Sequence, residues 1–540
     1  MEILFKKLFI YSICIFLINS LQAQKPTLNV KVTKSDEQKI GRTGFFKVET
    51  TEIYGFSPDE QNNYHLLKSE PNAGSKYKSL IMDTYNSNLE LVKSTPIDMP
   101  AEADTYLTLE GLFQVNNKPL FFYSQYNKSR EVRTLYYQSG VLKDKKSAKK
   151  LLEFSSTDKD KGNYVPYFSN DSTKIMIVVE PPQKSKENLT MKCYVYDNEM
   201  NKINDYDIDF EMRKSKITSI QYLVTNKGIP IVFVGTFKKG KSNEFGSIDE
   251  NLYLYNSKTP LKYNLEVAYK AISQLLIGKE EENEISLVGT FKHSEYDEGL
   301  LTWEGGNFYK PQGTVFLKLD TKTGEIKIKK LEYFSDPVLE FFEITPKGLT
   351  KGKGLDLGQA KFVGVAKNNN TFLAIDINYV SLITKGMTQD FHYFNKSKVI
   401  VSFNPEGKII FERVIPNFAQ SDTYKGVPTQ VFLNNNEVGI IYNTHEANLP
   451  IPGNRPIKTV EDIKQLKLHG IFRSSSSSNL INLAYIDETG RVTHHPLTDF
   501  KTEKMNLANV PAYCKNNKVV FATFDTNGFK VIQAELDYKK

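Results

Sequence analysis

The chain has 540 residues, with 70 Lys and Arg against 63 Asp and Glu; the net charge of +7 is a weak excess with acids and bases interspersed. That pattern excludes the clustered basic footprint of a nucleic-acid binder. The length exceeds one ordinary domain, yet no Pro/Ser-rich linker divides the sequence, which favours a closed repeat whose units bury their faces against one another.

Residues 1–23 read as a secretory signal peptide. Lys6 and Lys7 precede an apolar run over 8–21, and Leu21-Gln22-Ala23 suits a signal peptidase. Fourteen apolar residues are too few for a membrane span, and no later stretch approaches the roughly 20 required. Cys14 follows Tyr11-Ser12-Ile13, without the small residue expected before a lipidated cysteine. The mature chain is therefore expected to start near Gln24 as an exported, soluble protein, periplasmic or at the cell surface. Its net charge falls to +6 once Glu2, Lys6 and Lys7 are removed. Cys193 and Cys514 remain, each inside an apolar strand-like run, and read as separate buried thiols.

From there an asparagine-centred turn recurs between apolar runs. It stands at Asn62-Asn63, Asn116-Asn117, Asn170-Asp171, Asn226-Lys227-Gly228, Glu282-Asn283, Asn368-Asn369-Asn370, Asn434-Asn435-Asn436 and Asn516-Asn517. The first steps are 54 to 56 residues and the last three lie between 66 and 87. Asparagine tolerates positive φ and bonds to nearby backbone, so it suits such turns. A second series falls near Asn86, Ser139-Gly140, Asn198, Asn256, Asp320 to Gly324, Asn404-Pro405-Glu406-Gly407 and Asp487-Glu488-Thr489-Gly490. A period of about 50 residues built from short strands predicts an all-β chain, a β-propeller of four-stranded blades. The asparagine turns would join first to second strands and the other series third to fourth. Eight first turns against seven second turns favour eight blades over seven. Leu28-Asn29-Val30-Lys31-Val32 would supply the missing strand and close the ring. Residues 24–540 are thus read as one domain. Asp205-Tyr206-Asp207-Ile208-Asp209-Phe210 alternates strictly and reads as a charged outer edge strand rather than a calcium loop.

Val165-Pro166-Tyr167-Phe168-Ser169-Asn170-Asp171 followed by Lys174-Ile175-Met176 resembles the strand-turn-strand unit of TolB-type, WD40-like propeller repeats. Val427-Pro428 and Val510-Pro511 are weaker versions. Ser172 stands where that family usually has glycine. The resemblance supports the fold and carries no catalytic residue across. The signal peptide and Asn/Lys/Ile-rich composition resemble secreted proteins of Bacteroidetes-type bacteria.

In such a fold both turn series emerge on one face, while second-to-third loops and blade connections emerge on the other. All long insertions map to the second face: 181–188, 238–250, 293–312, 335–356 and 445–478. Loops are inexpensive to lengthen and carry function on rigid scaffolds. The insertion 293–312 supplies His293, Tyr296, Trp303, Phe308 and Tyr309; 445–478 supplies His445 and Arg455, a short helix from Thr459 to Gly470 and a flexible Ser474 to Ser478 run. Aromatic loop residues can stack on sugars or anchor a protein, and can equally pack on one another. Lys347, Lys351 and Lys353, alternating with Gly348, Gly352 and Gly354, read as a flexible, solvated basic segment.

The chain lacks a Gly-x-Ser-x-Gly elbow, a His-Glu-x-x-His pair and a P-loop, so no catalytic residue, metal or cofactor is assigned. His494 and His495 are adjacent and fall on opposite faces of a strand. The expected function is non-catalytic binding of an envelope protein or glycan through the long loops. The alternative is a polysaccharide or peptidoglycan hydrolase or lyase with carboxylates in the funnel. Oligomeric state is not legible.

Overall fold

A computed structural model describes residues 27–539 apart from 40–41, 44–48, 51, 71–78, 98–104, 116–117, 140–147, 158–161, 185, 239–246, 258, 266, 268–269, 294–301, 304–305, 308–309, 386–387, 422–428, 446–478, 499–505, 508–511 and 525–527. The signal segment lies outside the described residues.

Eight antiparallel sheets follow one another along the chain as an eight-bladed β-propeller. The first four blades begin with the inner strands Glu52–Pro58, Thr105–Val115, Asn163–Phe168 and Ile217–Val224. The next three begin with Lys270–Glu280, Leu357–Val365 and Thr429–Asn434. The eighth combines Tyr513–Lys515, Lys518–Phe524 and Gly528–Lys539 with Thr27–Lys34, the N-terminal strand, which pairs from Thr27↔Lys539 to Lys34↔Ile532. Both the blade count and the closure agree with the turn arithmetic.

Each blade is held by the alternation of its strands. In the first blade Leu66 packs toward the eighth blade with Tyr85, Val520 and Val531, whereas its neighbour Leu67 packs toward the second with Met82 and Phe121. Equivalent apolar layers fill the other interfaces. Second strands, covered on both sides, are continuous apolar runs such as Lys174–Glu180, whose five central residues are all buried. The outermost strand of the third blade, Lys202–Arg213, instead exposes Asp205, Asp207 and Asp209, as expected of a guarded edge.

Inner strands have no strand neighbour on the axis side, so their backbone groups need other partners. Glutamines of the preceding blade supply them. Gln274 donates from Nε2 to the Ala360 carbonyl (2.8 Å) and accepts from the Ala360 N–H (2.9 Å), joining the fifth blade to the sixth. Gln221 clamps Leu275 in the same way between the fourth and fifth. Gln430 accepts from the Ala512 N–H between the seventh and eighth.

The turns that betrayed the repeat also interlock. Asn62, Asn369, Asn435, Asn516 and Asn517 have positive φ, as the sequence implied. Their side chains additionally bridge blades: Asn226 Oδ1 accepts from Asp171 N–H (3.2 Å), and Asn436 Oδ1 accepts from Asn368 N–H (3.0 Å). Asn170 Nδ2 reaches the Ile277 carbonyl at 2.8 Å. Ser172 sits at φ +58° in a turn that Asp171 braces by accepting the Thr173 N–H (2.9 Å). Cys193 is buried and Cys514 half-buried, both as free thiols.

Candidate functional site

The two faces of the disc are built differently. On one face most of the described connections are tight turns, such as those at 59–63, 169–173, 225–229 and 404–408. On the other, second strands run outward into the long insertions, and the fourth to seventh blades carry most of that added chain.

At the fifth blade the second strand, Glu284–His293, is buried from Ile285 through Lys292 and ends with a half-buried His293. His293 pairs in register with Lys270, the first residue of the blade's inner strand. Lys270 Nζ sits 4.6 Å from the centre of the Phe291 ring and 4.5 Å from that of Tyr333, so two aromatic faces hold one ammonium. Burial pushes the Lys270 pKa below its ordinary value. Tyr333 is 46% exposed and offers its ring to the surface, edge-on to buried Phe291.

Beneath this rim lies a second charged group. Glu250, only 2% exposed, accepts the Ile272 N–H on Oε1 at 2.6 Å, tying the fourth blade to the inner strand of the fifth. Burial drives its pKa up to about 8, against the opposing effects of the Ile272 bond and the charge of Lys292. Burial brings Lys292 down to about 8, opposed by the charge of Glu250.

Among the sequence-derived candidates, His293 and Trp303 belong to one insertion. Trp303 lies in a miniature hairpin, Thr302–Trp303 against Gly306–Asn307. His445 is the last residue of the seventh blade's second strand, paired with Asn479, two blades from His293. Tyr296, Phe308, Tyr309 and Arg455, with the helix and serine run expected in 445–478, lie outside the described residues. The insertion expected over 238–250 is shorter, because the third strand of the fourth blade already begins at Ser247.

The segment 335–356 corrects the expectation of a flexible basic loop. It forms two short helices, α1 (Asp336–Phe341) and α2 (Pro346–Thr350), with Val338, Leu339, Ile344 and Leu355 packed on the fifth-to-sixth interface. Fully buried Gln312 donates from Nε2 to the carbonyls of Leu349 (3.0 Å) and Lys353 (2.9 Å). A Cβ on Gly354 would lie 2.2 Å from the Lys310 carbonyl oxygen, so glycine serves close packing here. Lys347, Lys351 and Lys353 are exposed on a fixed cap.

One element had no counterpart in the sequence reading. The second and third strands of the sixth blade, Thr371–Lys385 and Thr388–Phe403, are 15 and 16 residues long. The inner strand ends opposite Asn378, but the hairpin continues through seven further pairs, from Tyr379↔Phe394 to Lys385↔Thr388. At ~3.3 Å per residue it reaches about 20 Å past the inner strand on the insertion-bearing face.

Among the described residues, no group of three or more His, Cys, Asp or Glu side chains converges as a metal site. Half-buried His494 lies against Tyr442 and Asn482, its pKa lowered to about 4 chiefly by desolvation, while His495 contacts Thr493. No helix among the described residues is long and apolar enough to cross a membrane.

No protein-family model and no curated protein matches the chain. Among solved structures it is similar to the β-propeller domain of the Trilobed protease from Pyrococcus furiosus, at 10% identity and a TM-score of 0.36 over 83% of this chain and 96% of that one. It is also similar to prolyl oligopeptidase B from Galerina marginata, at 9% identity and a TM-score of 0.37 over 88% of this chain and 55% of that one, so it spans about half that protein's length. A third is a PL25 polysaccharide lyase, an ulvan lyase, at 11% identity and a TM-score of 0.31 over 80% of this chain and 90% of that one. At these similarities the architecture rests on the sheets themselves.

Proposed function

We propose that this chain is an exported β-propeller that binds a protein or glycan of the cell envelope, without chemistry of its own, through the insertion-bearing face of the fourth to seventh blades. The observation that carries the reading is the asymmetry of the disc. Residues have been added on one face, while the other is closed by bonds from turn to turn. Added chain on one side of a rigid scaffold is how recognition surfaces are built. The rim also pairs an exposed aromatic, Tyr333, with a cation fixed over rings, a combination that favours contact with a partner.

The hydrolase or lyase alternative gains no specific support. Two carboxyls that burial raises toward neutrality are both taken by backbone amides: Glu250, in a third strand, by Ile272, and Glu280, at the tight-turn end of an inner strand, by Asn226. A crosslinked pull-down of the tagged protein from its native envelope tests the reading, beside a variant lacking 294–311 and 446–477. A partner captured by the intact chain and lost from the folded variant is expected. Equal capture by both would overturn it.

A further inference from the structure

Among the described residues, the sixth-blade hairpin has a strand edge without a partner on the side of the inner strand. Strand order from the axis outward is Leu357–Val365, Thr371–Lys385, Thr388–Phe403, Ile409–Ser421. The inner strand covers the second only as far as Asn378, so 379–385 have no strand partner on that side among the described residues. Every second residue of this stretch points its N–H and C=O away from the 388–394 strand, toward the unpaired side.

Folded proteins guard such edges with charge, proline, bulges or shortness. Elsewhere this chain obeys that rule. The outer edge of the third blade exposes Asp205, Asp207 and Asp209. On its rim side, the same hairpin is covered by Ile409–Ser421 as far as Tyr393, with a bulge between Asn395 and Ser397 opposite Pro416, and Asp390 lies in the short remainder. The axis-side edge has none of these devices. Tyr379-Val380-Ser381-Leu382-Ile383-Thr384 contains no charge, proline or glycine, is rich in strand-forming residues, and meets its first charge at Lys385, next to the tip.

We propose that this edge, 379–385, is a docking strand for an extended segment of a partner polypeptide, added antiparallel or parallel to the sixth blade. The inference rests on the binding reading above and narrows it from protein or glycan to protein. An unpaired ladder fixes the chemistry of its occupant: donors and acceptors repeating every second residue are matched by another peptide backbone. A glycan lacks that repeat. The root of the hairpin is held rigidly enough to serve. Lys398, 1% exposed, pairs across the strands with Asp376, which also accepts from Thr429 of the seventh blade at 3.4 Å.

The test uses the mature full-length chain and a library of short random-sequence peptides as the probe. Retained peptides are resynthesised with single N-methyl groups along the backbone, and amide hydrogen exchange is recorded with and without them. The expected result has three parts. Peptides are retained; N-methylation at every second residue weakens binding about tenfold while the intervening positions tolerate it; and protection falls on amides within 379–385. Absence of any retained peptide, indifference to N-methylation, or protection elsewhere would overturn the proposal. Concentration-dependent self-association that protects 379–385 would overturn it too, by making a second copy the occupant. A variant with 380–393 replaced by Asn-Gly separates this inference from the broader one. If it folds and still captures the envelope partner that the loop deletions lose, the docking strand is wrong and the binding face stands. The N-methyl series decides the matter without relying on that variant.

Discussion

The tight-turn face and the insertion-bearing face of this disc place their polar groups in opposite ways. On the first, Asn226 and Asn436 spend their side chains on the neighbouring blade and Asn170 reaches from the third blade to the fifth, so these turns are linked to one another. On the second, half-buried Lys270 and exposed Tyr333 lie toward the surface and 379–385 have no partner on the inner-strand side among the described residues, while Glu250 and Lys398 are buried just beneath as supports. The first face joins turn to turn, though it also buries Glu280 against the Asn226 amide, whereas the second carries the inserted chain. That division is what a scaffold bearing a recognition surface requires.

The comparison can be broken most forcefully at the root of the sixth-blade hairpin. Asp376→Ala leaves Lys398 buried without its counter-charge and should cost about 3–5 kcal/mol in urea unfolding. Asp376→Leu combined with Lys398→Met should recover most of that loss. If the single change is neutral, the hairpin is not anchored by this pair.

Glu250 and Lys292 give the insertion-bearing side a pH signature. A carboxyl raised to about 8 in the folded state holds a proton that the unfolded chain loses near pH 4.5. Stability therefore falls as pH rises from about 4.5 to 8, by at most about 1.4 kcal/mol per unit. An ammonium lowered to about 8 is already neutral when the unfolded chain still holds its proton, so stability recovers from pH 8 toward 10.5. The contribution of this pair to unfolding midpoints should pass through a minimum near pH 8, and Glu250→Gln should reduce the acid-side slope, leaving the part that Glu280 supplies. A slope unchanged in that variant would assign it to other groups, Glu280 first, whose carboxyl is raised to about 7 by burial.

The axis-side clamps should matter less but measurably. Gln274→Ala strips partners from both backbone groups of Ala360 and should cost about 1–3 kcal/mol. On the turn face the smallest effect has the opposite sign. Ser172→Gly relieves a left-handed backbone and should stabilise the chain by about 0.5 kcal/mol, the gain being reduced by glycine's freedom in the unfolded state.

Much of the architecture was legible because tight turns leave local traces. Positive φ at Asn62, Asn369 and Asn435 favours asparagine or glycine, so the repeat leaves a trace in residue identity. The unequal counts of the two turn series implied the closing strand at Thr27–Lys34. The insertion-bearing face was readable only as a place. Glu250, Lys270, Phe291 and Tyr333 come from four strands of two blades, and no spacing unites them. The sixth-blade hairpin was hidden because its additional residues have the composition of ordinary strand. Its one trace is the longer step from Asn369 to Asn435. For 335–356, alternating lysine and glycine suggested mobility, whereas Val338, Leu339, Ile344 and Leu355 were the residues that determined its packing.

The most direct measurement is site-specific photocrosslinking in the native envelope, with a photoreactive residue placed at Trp303 or Tyr333 on one face and at Asn88, Lys322 or Glu406 on the other. Adducts from the first pair and none from the second set are expected. Adducts formed from the tight turns, or equally from both faces, would contradict a binding surface built on the inserted chain.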